Sequence, residues 1–96
     1  MFISNFLSNN NIKKINLTDE QVKNIQEIYF KKVAMENLIE NLGGADKTPD
    51  STLGKYGEIC AKFSDTGMAI IEENFPEIEP KKWDCNFETK EFTIEY

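Results

Sequence analysis

TDEQVKNIQEIYFKKVAMENLIENLG, residues 18–43, is the stretch whose reading decides the fold. It predicts one amphipathic helix over 18–43, about 36 Å long at 1.5 Å per residue. Thr18 is placed to be the N-cap, and Gln21 stands three residues on, as a capping box needs. Leu17 and Val22 flank the cap where a hydrophobic staple would sit. Asp19 and Glu20 fall in the first turn, where negative charge meets the positive end of the helix dipole. Gly43 and Gly44 close the helix, because glycine accepts the left-handed conformation that ends it. Ile25, Ile28, Tyr29, Met35, Ile39 and Leu42 share one stripe at the helical period, which predicts a core face. Phe30 and Leu38 fall outside that stripe and are candidates for contact with a partner.

Working outward, 45–51 reads as a linker of turn and cap residues: Asp46, Thr48, Pro49, Asp50. A second helix is expected over 49–75, begun by Thr48 as cap with Pro49 at the first helical position, or one turn later. Phe75-Pro76 ends it, since the residue before proline is pushed out of the helical region. Leu53, Tyr56, Cys60, Phe63, Gly67 and Ile70 make a heptad-like seam, flanked by Ile59 and Ile71. A short linker between two such seams predicts an antiparallel helical hairpin. Ser64-Asp65-Thr66-Gly67 leaves two readings, a continuous helix or a break.

After the charged connector 77–82 the period changes to two. Trp83, Cys85 and Phe87 alternate with Asp84, Asn86 and Glu88; Phe92, Ile94 and Tyr96 alternate with Thr93 and Glu95. This predicts a two-stranded antiparallel β-hairpin over 83–96. With Thr89-Lys90 at the tip, Phe87 would face Phe92, Cys85 would face Ile94, and Trp83 would face Tyr96. The tip has no Asn-Gly or Asp-Gly, so a longer loop is the other reading. The fold class is α+β, in a single domain of 1–96. An arm over 1–17 carries Phe2, Ile3, Phe6 and Leu7, then Ile12 and Ile15. It either docks on its own chain or is exchanged with a partner.

Composition narrows the chemistry. The chain has 96 residues, net charge −6 and no histidine, and its eleven basic residues are all lysine. Lysine is a poor bidentate reader of guanine or phosphate, so nucleic acid is not an expected partner. Histidine-based acid–base chemistry and histidine-ligated metal are excluded within the chain. No cofactor, metal or catalytic residue is expected, and the chain is not read as an enzyme. No stretch suits a membrane span or a secretory signal, so a cytoplasmic protein without membrane attachment is expected. Cys60 and Cys85 cannot complete a tetrahedral zinc site alone and are expected to be buried, reduced thiols. The carboxylate pairs lie on polar helix faces and read as solvated surface. Tyr29 and Tyr56 are core tyrosines that each need one hydrogen-bond partner.

What remains is binding. A two-stranded ribbon has open edges on which an extended peptide or a second copy could add a strand. Its face of Trp83, Phe87, Phe92 and Tyr96 joins Phe30 and Leu38 as candidate partner-binding residues. The expected function is a non-catalytic protein- or peptide-binding accessory module. An acidic inhibitor or decoy, such as a phage-encoded anti-defence protein, is the alternative from another class, and a structural homodimer is a third.

The run Trp83-Asp84-Cys85-Asn86-Phe87-Glu88-Thr89-Lys90-Glu91-Phe92 resembles the closing segment of the CXXX repeat peptide modification system proteins. Ile28-Tyr29, Lys32, Ala34 and Leu38 in the first helix, and Leu53 and Phe63 in the second, are similar to that family in place and character. The resemblance spans roughly 18–96 and departs at Thr66-Gly67, where the family has paired tryptophans. It implies a small bacterial accessory protein working beside a radical-SAM enzyme and holding a precursor peptide or the maturase. It implies no catalytic residues.

Overall fold

Thr18 and Gln21 start the first helix as the capping box requires. Thr18 N–H donates to Gln21 Oε1 at 2.9 Å, and Gln21 N–H donates to Thr18 Oγ1 at 3.1 Å. Leu17 and Val22, the staple pair, are both buried. This is a computed structural model describing residues 11–96, so Phe2, Ile3, Phe6 and Leu7 lie outside the described residues. The elements in chain order are β1 (Ile12–Asn16), α1 (Asp19–Asn41), a 3-10 turn (Ala45–Lys47), α2 (Asp50–Asn74), β2 (Lys82–Asn86) and β3 (Glu91–Glu95). The architecture is α+β, an antiparallel helical hairpin with a C-terminal antiparallel β-hairpin.

The chain divides into two compact units. One comprises residues 11–22 and 69–96 of the described chain and holds the sheet. The other is Lys23–Met68 and holds most of the helical hairpin.

In the sheet unit the strand order is β1-β3-β2, with both pairings antiparallel. The expected two-stranded ribbon is thus part of a three-stranded sheet. Ile12–Asn16, from the expected arm, pairs along the whole of β3, with Ile15 opposite Phe92 and Lys13 opposite Ile94. The hairpin register also differs from the expectation. Cys85 faces Phe92 and Trp83 faces Ile94, two residues away from the anticipated pairs. The tip explains the shift, because a four-residue loop over 87–90 replaces the tight two-residue turn. Asn86 Oδ1 accepts the N–H groups of Glu88 and Thr89, each at 3.0 Å. Lys90 then takes φ 62, the left-handed conformation that a glycine would have supplied more cheaply. A slip of two keeps each strand residue on its expected face, whereas a slip of one would invert the sheet. Phe87 passes from the strand into the loop.

Leu17, Val22, Ile70, Ile71, Phe92 and Ile94 are this unit's buried apolar residues. Trp83 stacks on Phe92 with ring centroids 5.1 Å apart. Lys13 lies over the Phe75 ring at 5.5 Å. Lys90 at the hairpin tip pairs with Asp19 in the first turn of α1.

In the hairpin unit, α1 ends in a Schellman closure: Gly44 N–H reaches Ile39 O at 2.9 Å and Gly43 N–H reaches Glu40 O at 3.0 Å. Both glycines have φ 102, and a Cβ on Gly43 would meet Lys47 Cδ at 2.9 Å. Thr48 does not cap α2 with its hydroxyl, which donates back to Gly44 O at 2.8 Å. The carbonyl of Pro49 accepts the first helical bond instead, from Leu53 N–H at 3.1 Å. Helix α2 runs unbroken through Ser64–Gly67, and Gly67 is buried.

Candidate interaction surface

The residues of α1 that meet α2 are partly polar. Glu36 Oε2 accepts from Lys32 Nζ at 2.7 Å, one turn away on the same helix, and from the Tyr56 hydroxyl on α2 at 2.6 Å. These bonds hold the Glu36 carboxyl below its usual range, the Lys32 bond contributing most. They raise Lys32 and push Tyr56 well above the ordinary tyrosine value, Glu36 first and Cys60 second among the causes. Tyr56 therefore has the partner its position called for, and it came from a carboxylate that reads as plain surface in the sequence. Lys32 also lies over the Phe63 ring at 5.9 Å, and Tyr29 meets the same ring at 5.9 Å. The cluster is a clasp between the helices. Its carboxylate, ammonium and phenol are matched to one another, which leaves each in its ordinary charge state at neutral pH.

Around that clasp the apolar stripes are only partly covered. Ile25 is the one large apolar side chain of Lys23–Met68 that is fully enclosed; Ile28, Met35, Ile39, Leu53, Ile59 and Phe63 are half-buried. Of the six large apolar residues that stand exposed among the described ones, five are in this unit: Tyr29, Phe30, Leu38, Leu42 and Met68. Phe30 is the most open, at 58%. Two of the five, Phe30 and Leu38, were legible in the sequence because they break the stripe. Tyr29 and Leu42 lie on the stripe itself, and only the three-dimensional structure shows it uncovered there.

The aromatic candidates of the sheet unit sit differently. Phe92 is 0% exposed, so it is a core residue with no surface to offer a partner. Trp83, Phe87 and Tyr96 are half-buried. Tyr96 N–H donates to Asn11 O at 2.9 Å, which extends the β1–β3 ladder. Phe30 and Leu38 belong to the other unit, Lys23–Met68. Strand β1 occupies the β3 side of the ribbon, so among the described residues β2 keeps an outer edge with no strand beside it. The sheet face that bears Ile12, Lys82, Asp84, Thr93 and Glu95 has a shallow depression of about 250 Å³, with Trp83 at its side.

Cys60 and Cys85 are free thiols and half-buried, more open than the sequence suggested. Burial, and then the nearby Asp84 carboxylate, push the Cys85 thiol up and away from the reactive thiolate. Among the described residues, no three or more of the cysteine and acidic side chains are grouped so that they could hold a metal ion. Among the described residues, no helix is long and apolar enough to cross a membrane.

Charge is divided unevenly between the units. The sheet unit carries five lysines and ten acidic residues, net −5, whereas Lys23–Met68 carries six lysines and seven acidic residues, net −1. No family model, curated protein or solved structure matches the chain.

Proposed function

We propose that this chain is a non-catalytic accessory module that works by binding protein or peptide. The reading rests on the five large apolar side chains held in water on Lys23–Met68. Phe30 and Leu38 stand about two turns apart on α1, and neighbouring exposed apolar side chains on a small domain mark interaction sites. The near-zero charge of that unit fits a contact driven by apolar burial. The residue inventory supports a role without catalysis: histidine is absent, and the best polar cluster, Lys32–Glu36–Tyr56, is spent on joining two helices. The free edge of β2 is a second place where an extended peptide could add a strand. In its sharpest form the proposal is a cytoplasmic protein of a peptide-modification system that holds a precursor peptide or its maturase, as the C-terminal resemblance implies.

The test is affinity capture from the producing cell with the wild-type chain and with a Phe30→Glu/Leu38→Glu variant, followed by direct titration of each captured protein. A partner held by the wild type and lost by the variant is expected. Equal capture by both proteins would remove α1 as the binding surface.

A second reading, the acidic decoy, has one observation in its favour, the net −5 on the sheet unit. It predicts a basic partner whose affinity falls steeply with salt, because exposed charges are screened within about 10 Å at 0.1 M. Partner affinity that is flat in salt would dismiss it.

A further inference from the structure

The polar face of the sheet carries its charges in pairs, except at the rim. Lys14 on β1 pairs with Glu91 on β3 at 3.6 Å, and Lys82 on β2 pairs with Glu95 on β3 at 3.8 Å. Asp84, in the middle of β2, stands exposed opposite the uncharged Thr93. Among the described residues no lysine pairs with it. Beside it lies the depression of about 250 Å³, whose walls are mostly carbon and include Asp84 and Glu95. Strand β2 lacks two of the features that block an edge, proline and a bulge, and its five residues pair with β3 in unbroken register. Its charges therefore decide what can pair there.

We propose that β2 takes up an extended foreign peptide as a fourth strand, with a lysine or arginine of that peptide opposite Asp84. This rests on the peptide-binding reading above and names the partner's chemistry.

Opposite charges facing each other across two strands stabilise the pair, and like charges destabilise it. A cation opposite Asp84 completes the one carboxylate that the sheet leaves without a counter-charge, and a glutamate there is rejected. The cation must also be long. A fourth strand lies about 4.8 Å outside β2, so only a long stem crosses β2 to reach the depression. The carbon walls suit that stem, and the carboxylates of Asp84 and Glu95 suit its charged head. Side chains alternate along a strand, so the two neighbours of the cation fall on the other face, beside the half-buried Trp83 and Cys85. The partner's pattern is thus apolar, basic, apolar. The sheet unit's net −5 draws such a segment toward it. Residues 1–10 of the chain contain neither lysine nor arginine, so they do not supply the cation.

Synthetic heptapeptides of alternating valine and threonine, with arginine or glutamate as the central residue on the threonine face, test this by titration into the isotope-labelled full chain. The arginine peptide should shift the amide signals of residues 82–86 and slow their exchange with solvent. The glutamate peptide should bind at least ten-fold more weakly. Asp84→Asn should shrink that preference at least three-fold, and Asp84→Lys should reverse it, with unchanged circular dichroism in both. An arginine peptide that leaves 82–86 unmoved at millimolar concentration overturns the inference, as does a preference that is the same in Asp84→Asn. If the peptides fail while Phe30→Glu/Leu38→Glu still loses a captured partner, the β2 site fails and the protein-binding reading stands. If neither the peptides nor capture respond, both fail.

Discussion

The sheet unit and the helical hairpin are made from similar apolar residues, yet one encloses them and the other does not. In the sheet unit Phe92 and Ile94 are sealed on the central strand, and Leu17, Val22, Ile70 and Ile71 are buried with them. In Lys23–Met68 the helices meet through a polar clasp and ring contacts, and only Ile25 is fully enclosed among the large apolar residues. Geometry explains the contrast. A central strand has neighbours on both sides and one face against other elements, so its inward residues lose all contact with water. Each helix of a pair can turn only one side toward the other, and a stripe of 100° or more spills past that contact. The lesson is that apolar enclosure is concentrated in the more acidic unit, and exposed apolar surface in the nearly neutral one.

Paired truncations would test that contrast most severely. Phe92→Ala should cost about 3–5 kcal/mol in urea unfolding, the range for a buried phenylalanine. Phe30→Ala should stay within about 0.5 kcal/mol of the wild type, because it is a surface change away from any cap or network. Equal losses would mean that the two units do not differ in enclosure.

A smaller loss is expected at the start of α1. Thr18→Ala removes the hydroxyl that accepts Gln21 N–H and should cost about 1 kcal/mol. Gln21→Ala should not add its full effect on top, since the two side chains form one reciprocal cap. A double-mutant cycle in urea reports the coupling, and strict additivity would contradict the capping box.

Within the hairpin, Tyr56→Phe deletes one hydrogen bond and should cost about 0.5–1.5 kcal/mol by thermal or urea melting. The clasp also sets a pH dependence. The Glu36 carboxyl is lowered in the folded chain, so its contribution is present above the ordinary value of 4.5 and is lost as pH falls through the folded value. Tyr56 is raised, so above its ordinary value of 10.0 the unfolded chain releases the proton first and stability declines as pH rises. Both effects should shrink in Glu36→Gln, measured as melting temperature against pH. The acid-side effect is slight, because the Glu36 side chain is 40% exposed and solvent screens its ion pair. An unaltered profile in the variant would show that the clasp does not couple to folding.

The smallest effect is kinetic. Amide exchange should be slower in β3 than in the middle of α1, because local opening follows the density of buried contacts. The reverse order would invert the comparison.

Much of the architecture was legible from residues that act locally. Thr18 with Gln21, Gly43 with Gly44, and the change from helical to two-residue period near Trp83 each reflect a bond or a dihedral preference within a few positions. Harder to read were contacts between distant segments. Ile12–Asn16 reads as part of an arm that docks on its own chain or on a partner, and its place as a strand beside β3 depends on residues about eighty positions away. The hairpin register turned on Asn86, whose side chain stabilises a longer loop that the bare alternation does not specify. Phe92 looks like a candidate for partner contact because a strand's pattern marks its apolar face but not what covers it. Phe30 and Leu38 were legible because exposure can be inferred where an apolar residue leaves the stripe. Leu42 and Tyr29 were not, because residues on the stripe are indistinguishable until the neighbour's width is known.

By itself, then, the sequence determined the two helices and the C-terminal hairpin, their order, the capping box and glycine close of the first helix, and the absence of histidine and arginine chemistry, since these depend on composition and short-range geometry. The tertiary structure decided the third strand, the two-residue register shift, the Glu36–Tyr56 clasp and which apolar faces remain open. Those depend on which surfaces meet, and burial is a property of the pair, not of either segment alone.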